Sequence, residues 1–130
     1  MKVKFVIVCH TDEYSAPDLK SESVHSWDDV VQAVKSLNGE NKDTCILYRS
    51  EKFEREDFLC IEGPYKDRYT CSYWNSGCCY FLSNSVVNSI SDLPMPRDYR
   101  VDKQQLLVAV RLFCETWSTS DNHFWEELVD

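Results

Sequence analysis

Glycine is nearly absent from this chain, with three in 130 residues, and proline occurs only four times. So few glycines make the backbone cradles that hold phosphates hard to build. No glycine-rich phosphate loop, nucleophile elbow or His-Glu-x-x-His helix is present. The scarcity of both residues also excludes a linker-like or low-complexity chain. No two of the seven cysteines are spaced as C-x-x-C, which removes the usual zinc-knuckle and thioredoxin-type signatures. No apolar stretch approaches the ~20 residues needed to cross a bilayer. Positive charge is short as well: 14 Lys and Arg stand against 22 Asp and Glu, for a formal net charge of −8. That surface repels phosphate backbones and attracts a basic partner, although acidity is also a common route to solubility.

Hydrophobic residues make up 43% of the chain, including 4 Trp, 7 Tyr and 6 Phe. This suffices for one core, and 130 residues is the usual size of one domain, so residues 1–130 are read as a single unit. The N-terminal run Lys2 to Cys9 is too short for a signal h-region and has no small-residue cleavage site. It reads as a first strand. An unexported chain would keep its cysteines as free thiols in the cytoplasm.

Polar residues from Thr11 to Ser23, with Pro17 among them, predict a loop. Ser26 is a natural N-cap, followed by Asp28 and Asp29 in the first turn. Trp27, Val30, Val31, Val34 and Leu37 recur at helical spacing, and Asn38-Gly39 supplies a stop, which predicts a helix over 26–38. Thr44 to Arg49 and Phe58 to Glu62 are short apolar runs, joined by a charged connection at 51–57. Gly63-Pro64 marks a turn. Arg68 to Trp74 alternates, with Tyr69, Cys71 and Tyr73 on one face and Thr70, Ser72 and Trp74 on the other. Asn75-Ser76-Gly77 is a turn before a strand from Cys78 to Leu82. Residues 83–98 read as a polar surface excursion. Asp102 then caps a helix to about 118, with Leu106, Val110, Phe113 and Trp117 along one stripe. The tail from Asp121 to Leu128 reads as a short helical turn. The fold class expected is α+β, an antiparallel meander of about five strands with two main helices packed on it.

Candidate chemistry is sparse. Cys45, Cys60 and Cys71 fall within strands, where cysteine acts as a small hydrophobe. Cys9 could pair with one of His10, His25 and His123 as a nucleophile and base, but no local feature activates its thiol. No catalytic residue, cofactor or metal is therefore expected. A cysteine-dependent enzyme stays as a remote alternative, testable with Cys9→Ser. The acids, by contrast, are unevenly placed. Five lie between Leu112 and Asp130 with no Lys or Arg, and five between Glu51 and Glu62 with two bases. Glu54, Glu56, Asp57, Glu126 and Glu127 from these clusters, with the aromatics Tyr65 and Trp74, form the expected partner-binding set.

The order of elements carries a resemblance. Ser26-Trp27-Asp28-Asp29-Val30 leads into the meander. Then come Tyr99-Arg100-Val101-Asp102, the run Leu106 to Phe113, Glu115-Thr116 and finally Trp125-Glu126. From about Ser26 to Glu127 this resembles the Imm-one family of bacterial immunity proteins. Members end in a similar helix with an alanine, a phenylalanine and Glu-Thr-Gly, then a Trp-Glu pair. Here Trp117 follows Glu115-Thr116 where the family often has glycine. The resemblance implies a cytoplasmic antidote to a polymorphic toxin, of the kind used in contact-dependent inhibition. The toxin would be a nucleic-acid deaminase or nuclease, and the antidote would cover its active site. It implies a basic protein partner, no nucleic acid and no membrane, with Trp27, Phe113 and Trp125 as structural residues. A non-catalytic adaptor or regulatory interaction module is the alternative.

Overall fold

A computed structural model describes residues 3–13, 25–49, 56–83, 99–119 and 125–128. Strand β1 spans Val3–Cys9, helix α1 Trp27–Ser36, β2 Thr44–Arg49, β3 Asp57–Tyr65, β4 Arg68–Asn75 and β5 Cys78–Leu82. The short β6 (Arg100–Val101) precedes α2 (Lys103–Thr116), and β7 covers Trp125–Leu128. All pairings are antiparallel, in the order β1-β2-β3-β4-β5-β7, with β6 also on β4. The α+β class and the antiparallel sheet agree with expectation; the strand count is higher, at seven among the described residues.

Both helices start as their sequences dictate. The Ser26 hydroxyl accepts from the Asp29 backbone N–H, and the Asp29 carboxylate accepts from the Ser26 N–H at 2.9 Å, a reciprocal capping box. Asp102 and Gln105 repeat the arrangement at α2. Val30 and Val34 of α1 are buried, as are Leu106, Ala109, Val110, Phe113 and Cys114 of α2. They meet Cys45, Leu47, Leu59, Ile61, Tyr69, Cys71 and Tyr73 in one continuous core, so both helices lie on the same sheet face. The Arg111 guanidinium sits 5.7 Å from the Trp27 ring and ties the helices together at the surface.

Three expectations need correction. Gly63-Pro64 is not a turn but an irregularity inside β3, where the register shifts between Glu62 and Tyr65. Gly63 holds φ 139°, a conformation glycine reaches easily, and its N–H donates to the Asp43 carbonyl at 2.9 Å, while β3 continues through the irregularity to Tyr65. The reversal falls instead at Lys66-Asp67, both at positive φ, as are Ser76 and Gly77 in the next hairpin. Second, residues 125–128 are strand rather than helix. They pair with β5, which places Trp125 against Phe113 at 5.6 Å. Third, Arg100–Val101 adds a strand on β4 beyond the end of β5, because Val101 is drawn into the core beside Tyr69. The expected excursion lies outside the described residues except for Ser83, and the expected loop after Glu13 is likewise outside them up to His25.

Candidate functional site

Residues alternate between two faces of a strand, so the positions opposite the helix-bearing face form a second surface. Phe5, Ile46 and Tyr48 are buried there, with Ile7, Phe58 and Cys60 packed against them. The register sets Phe5 against Tyr48, and Phe58 against Trp74. The rings form a row across four strands: Phe5 to Tyr48 at 6.2 Å, Tyr48 to Phe58 at 5.9 Å, Phe58 to Trp74 at 6.4 Å and nearly parallel. Such ring pairs are each worth about 0.5–1.5 kcal/mol beyond their burial. Exposure rises along the row, from 2% at Tyr48 to 38% at Trp74. The Trp74 indole N–H is held by the Ser72 hydroxyl at 2.9 Å, which presents the ring in one orientation. No helix of the described residues lies on this face.

The expected partner-binding residues separate on the fold. Trp74 ends the aromatic row, and exposed Glu56 stands at the same end, its carbonyl accepting from Ser76. Glu126 pairs with Phe81, which pairs with Ser72, so Glu126 shares the second face about 10 Å away across the sheet. Glu127 alternates to the other side, where its charge pushes the Tyr80 phenol up. Tyr65 is 64% exposed but lies at the far end of the β3–β4 hairpin, about 20 Å from Trp74. Glu54 is outside the described residues.

Asp57 is a correction. Only 1% of it is exposed, and its carboxylate is used internally. Oδ1 accepts from the Tyr73 hydroxyl at 2.7 Å and from the Trp117 indole at 2.9 Å. Oδ2 faces Arg49 Nε at 3.1 Å, an ion pair whose N–H is not aligned as a hydrogen bond. A carboxylate so enclosed has nothing left to offer a partner. Asp57 sits among charged neighbours in sequence but at a core-facing position of β3, one residue before Phe58, and the pleat settles where it points.

At the opposite end of the second face, a cleft of about 290 Å³ is lined by Gly39, Asp43, Glu62, Pro64, Tyr65, Arg68, Thr70 and Arg100, among others. Burial pushes the Asp43 carboxyl up. Donation from the Thr44 hydroxyl and from the Thr11 N–H and hydroxyl, with His10 nearby, more than offsets this, so it titrates below the ordinary carboxylate value. Sequence reading missed this cleft and the ring row. The signal for the row was the unbroken apolar run Cys45-Ile46-Leu47-Tyr48, which marks a strand covered on both faces.

Among the described residues, the surroundings of Cys9 do not activate its thiol. The Cys9 thiol is raised by burial and by the nearby carboxylates of Asp43 and Glu13, the reverse of what an attacking thiol needs. His10 is engaged with Asp12, whose N–H donates to Nδ1 at 3.1 Å, and its Nε2 lies 3.9 Å from Asp43. Among the described residues no group of His, Cys, Asp and Glu converges to hold a metal, and no helix is long and apolar enough to cross a membrane.

Comparison of the chain with protein-family models, curated proteins and solved structures finds no match.

Proposed function

We propose that this chain is an immunity protein, which binds a cognate polymorphic toxin and occludes its active site. The observation that carries the reading is the second sheet face, where a buried aromatic row ends in half-exposed Trp74 between the acids Glu56 and Glu126. An oriented indole backed by stacked rings is a low-entropy anchor of the kind that dominates binding energy. The surrounding negative charge, −8 over the whole chain, complements a toxin whose groove is basic because it handles nucleic acid. Occlusion requires no catalysis, cofactor or metal, only an interface of about 1,600 Å² in total. Asp57 does not belong to the contact set; Trp74, Glu56 and Glu126 lead it.

Co-expression with the product of the adjacent upstream gene tests the reading. A complex that survives purification and rescue of cells from that product are expected. Trp74→Ala should weaken the complex by about 2 kcal/mol while leaving the thermal midpoint within a few degrees. If neither complex nor rescue is seen with the wild-type chain, the reading falls. Capture of a housekeeping protein with no toxin nearby would favour an adaptor instead.

A further inference from the structure

The two ends of the sheet differ. At one, β7 is four residues long and carries Glu126 and Glu127, a short, charged edge of the kind that resists a further strand. At the other, β1 is seven residues long, and Phe5 to Cys9 holds no charged residue. Only its start is protected. A bulge falls between Val3 and Phe5, and the His25 N–H donates to the Val3 carbonyl at 3.0 Å. Among the described residues nothing pairs with the outer side of β1 beyond Val3.

Asp43 is a strut between β1 and β3, and its bonds fix which backbone groups face out. Its carbonyl accepts from the Gly63 N–H at 2.9 Å, so Thr44, which pairs with Glu62, turns its own N–H and carbonyl away from β3 and toward β1. Thr44 pairs with Cys9, whose carbonyl also accepts from the Asp43 N–H at 3.2 Å. Cys9, Ile7 and Phe5 therefore bond inward, to β2. Val6 and Val8 present their N–H and carbonyl groups at the open edge. The side chains of Val6, Ile7, Val8 and Cys9 are only half-buried, whereas β2, with a strand on each side, is buried from Thr44 to Tyr48.

We propose that the β1 edge binds a second copy of this chain, with β1 antiparallel to β1 about a two-fold axis at Ile7. In that register Val6 of each copy lies opposite Val8 of the other, and each such pair exchanges both of its backbone hydrogen bonds. Ile7 meets Ile7, and Phe5 meets Cys9, on the face of the aromatic row. The valines meet on the helix-bearing face. Every cross-strand pair is apolar and no like charges are opposed, which is what makes the strand its own complement. Thr11 falls opposite Val3, so the pairing ends where the turn Thr11–Glu13 leaves the strand and where His25 already holds the edge.

The interface is isologous and closes at two copies, because both outer ends of the joined sheet are then the acidic β7. So short a pairing belongs with the weak interfaces, below about 1,200 Å². The charge of −8 on each copy opposes it further, so the dimer forms reversibly. Trp74 lies at the other end of the aromatic row, and the proposal does not rest on the toxin reading.

Sedimentation velocity of the full, reduced chain from about 1 μM to about 1 mM, the range of weak association, should show a reversible monomer–dimer equilibrium and nothing larger. Val6→Pro removes an outward N–H without touching the ladder to β2. It should weaken the dimer by about ten-fold or more, since symmetry removes two bonds, while the thermal midpoint of the dilute monomer stays within a few degrees of wild type. A second variant tests the register even if Val6→Pro fails to fold. Ile7→Cys in a Cys78→Ser background sets two Cα atoms about 4.5 Å apart across the axis, within disulfide reach. Oxidised glutathione should then give a covalent dimer that Cys78→Ser alone does not form. A wild-type chain that stays monomeric at about 1 mM overturns the proposal and leaves the edge to a strand of another protein. So do species larger than a dimer, a dimer that Val6→Pro leaves unaltered, or no covalent dimer from Ile7→Cys.

Discussion

The indole of Trp117, at the end of α2, donates to the carboxylate of Asp57, at the start of β3, at 2.9 Å and across sixty residues of sequence. Trp117 reaches it from a left-handed backbone, φ 52° and ψ 47°, the conformation glycine adopts most readily. A side chain there costs about 1–2 kcal/mol. The ring offsets that cost by packing on Phe113 at 4.8 Å and edge-on to Tyr73 at 6.2 Å, and by its bond to a charged acceptor. Asp57 thereby joins β2 through Arg49, β4 through Tyr73 and α2 through Trp117.

Breaking this junction is expected to be expensive in proportion to what is left unpaired. Asp57→Ala strands Arg49 and two donors, and should destabilise by roughly 3–5 kcal/mol, the range for a buried pair that loses one member. Trp117→Phe removes one donor from a carboxylate that keeps its other contacts, and should cost about 1–2 kcal/mol. The two losses should not add, and urea unfolding of the single and double variants measures the coupling. A cost for Asp57→Ala under about 1 kcal/mol would mean that the carboxylate faces solvent.

Helix caps, strand periodicity and the Ser76-Gly77 hairpin were legible because each depends on a few adjacent residues. Ser26, Asp102 and the alternation of Tyr69, Cys71 and Tyr73 carry their own local signals, and all sit where those signals place them. The misread elements depend on distant partners. Trp125–Leu128 is strand because β5 offers it an edge, and Gly63-Pro64 stays within β3 because Asp43 pins it. The charged neighbours of Asp57 in sequence point to a surface cluster, yet Arg49, Tyr73 and Trp117, which pair with it, come from three other segments. The pairing of Thr70 with Arg100 is likewise invisible until β6 is found on β4.

Gly39 and Gly77 provide a controlled comparison. Both hold positive φ, 75° and 93°, so alanine at either strains the backbone by about 1 kcal/mol. A Cβ at Gly77 meets nothing, whereas at Gly39 it strikes the Pro64 carbonyl, which is backbone and cannot swing aside. Gly39→Ala should therefore lower the thermal midpoint clearly more than Gly77→Ala. Equal effects would show that the loop after α1 does not pack on the β3 irregularity.

Acid should release the strut around Asp43. A carboxyl held below its ordinary value of 3.8 contributes stability that is fully present above that value and is lost as pH falls through the depressed one. Asp29, lowered chiefly by the Ser26 backbone N–H at the α1 cap, acts in the same direction. Asp43→Asn should be less stable than wild type at pH 7, with the difference shrinking as pH is taken below 3.8. Urea midpoints across that range read the effect, and a gap independent of pH would assign it to shape instead of charge.

The seven thiols should divide sharply by reactivity. Cys78 is exposed at the start of β5, while Cys45, Cys71, Cys79 and Cys114 are buried and Cys9 and Cys60 are half-buried. Burial raises the six buried and half-buried thiols, and takes Cys45 and Cys114 to about 12. Because the thiolate is the reacting species, an aromatic disulfide reagent at pH 8 should label Cys78 first. Cys78→Ser should abolish the fast phase, and denaturant should expose the rest. A fast phase at Cys9 would contradict its surroundings and reopen thiol catalysis. The same raised thiols imply a loss of stability in alkali. A thiol whose folded value is raised contributes stability that is whole below 9.0 and disappears as pH rises toward the folded value, here between 9.0 and about 12 for Cys45 and Cys114. Replacing both by alanine would remove this part of the alkaline slope, at the cost of two small cavities at neutral pH.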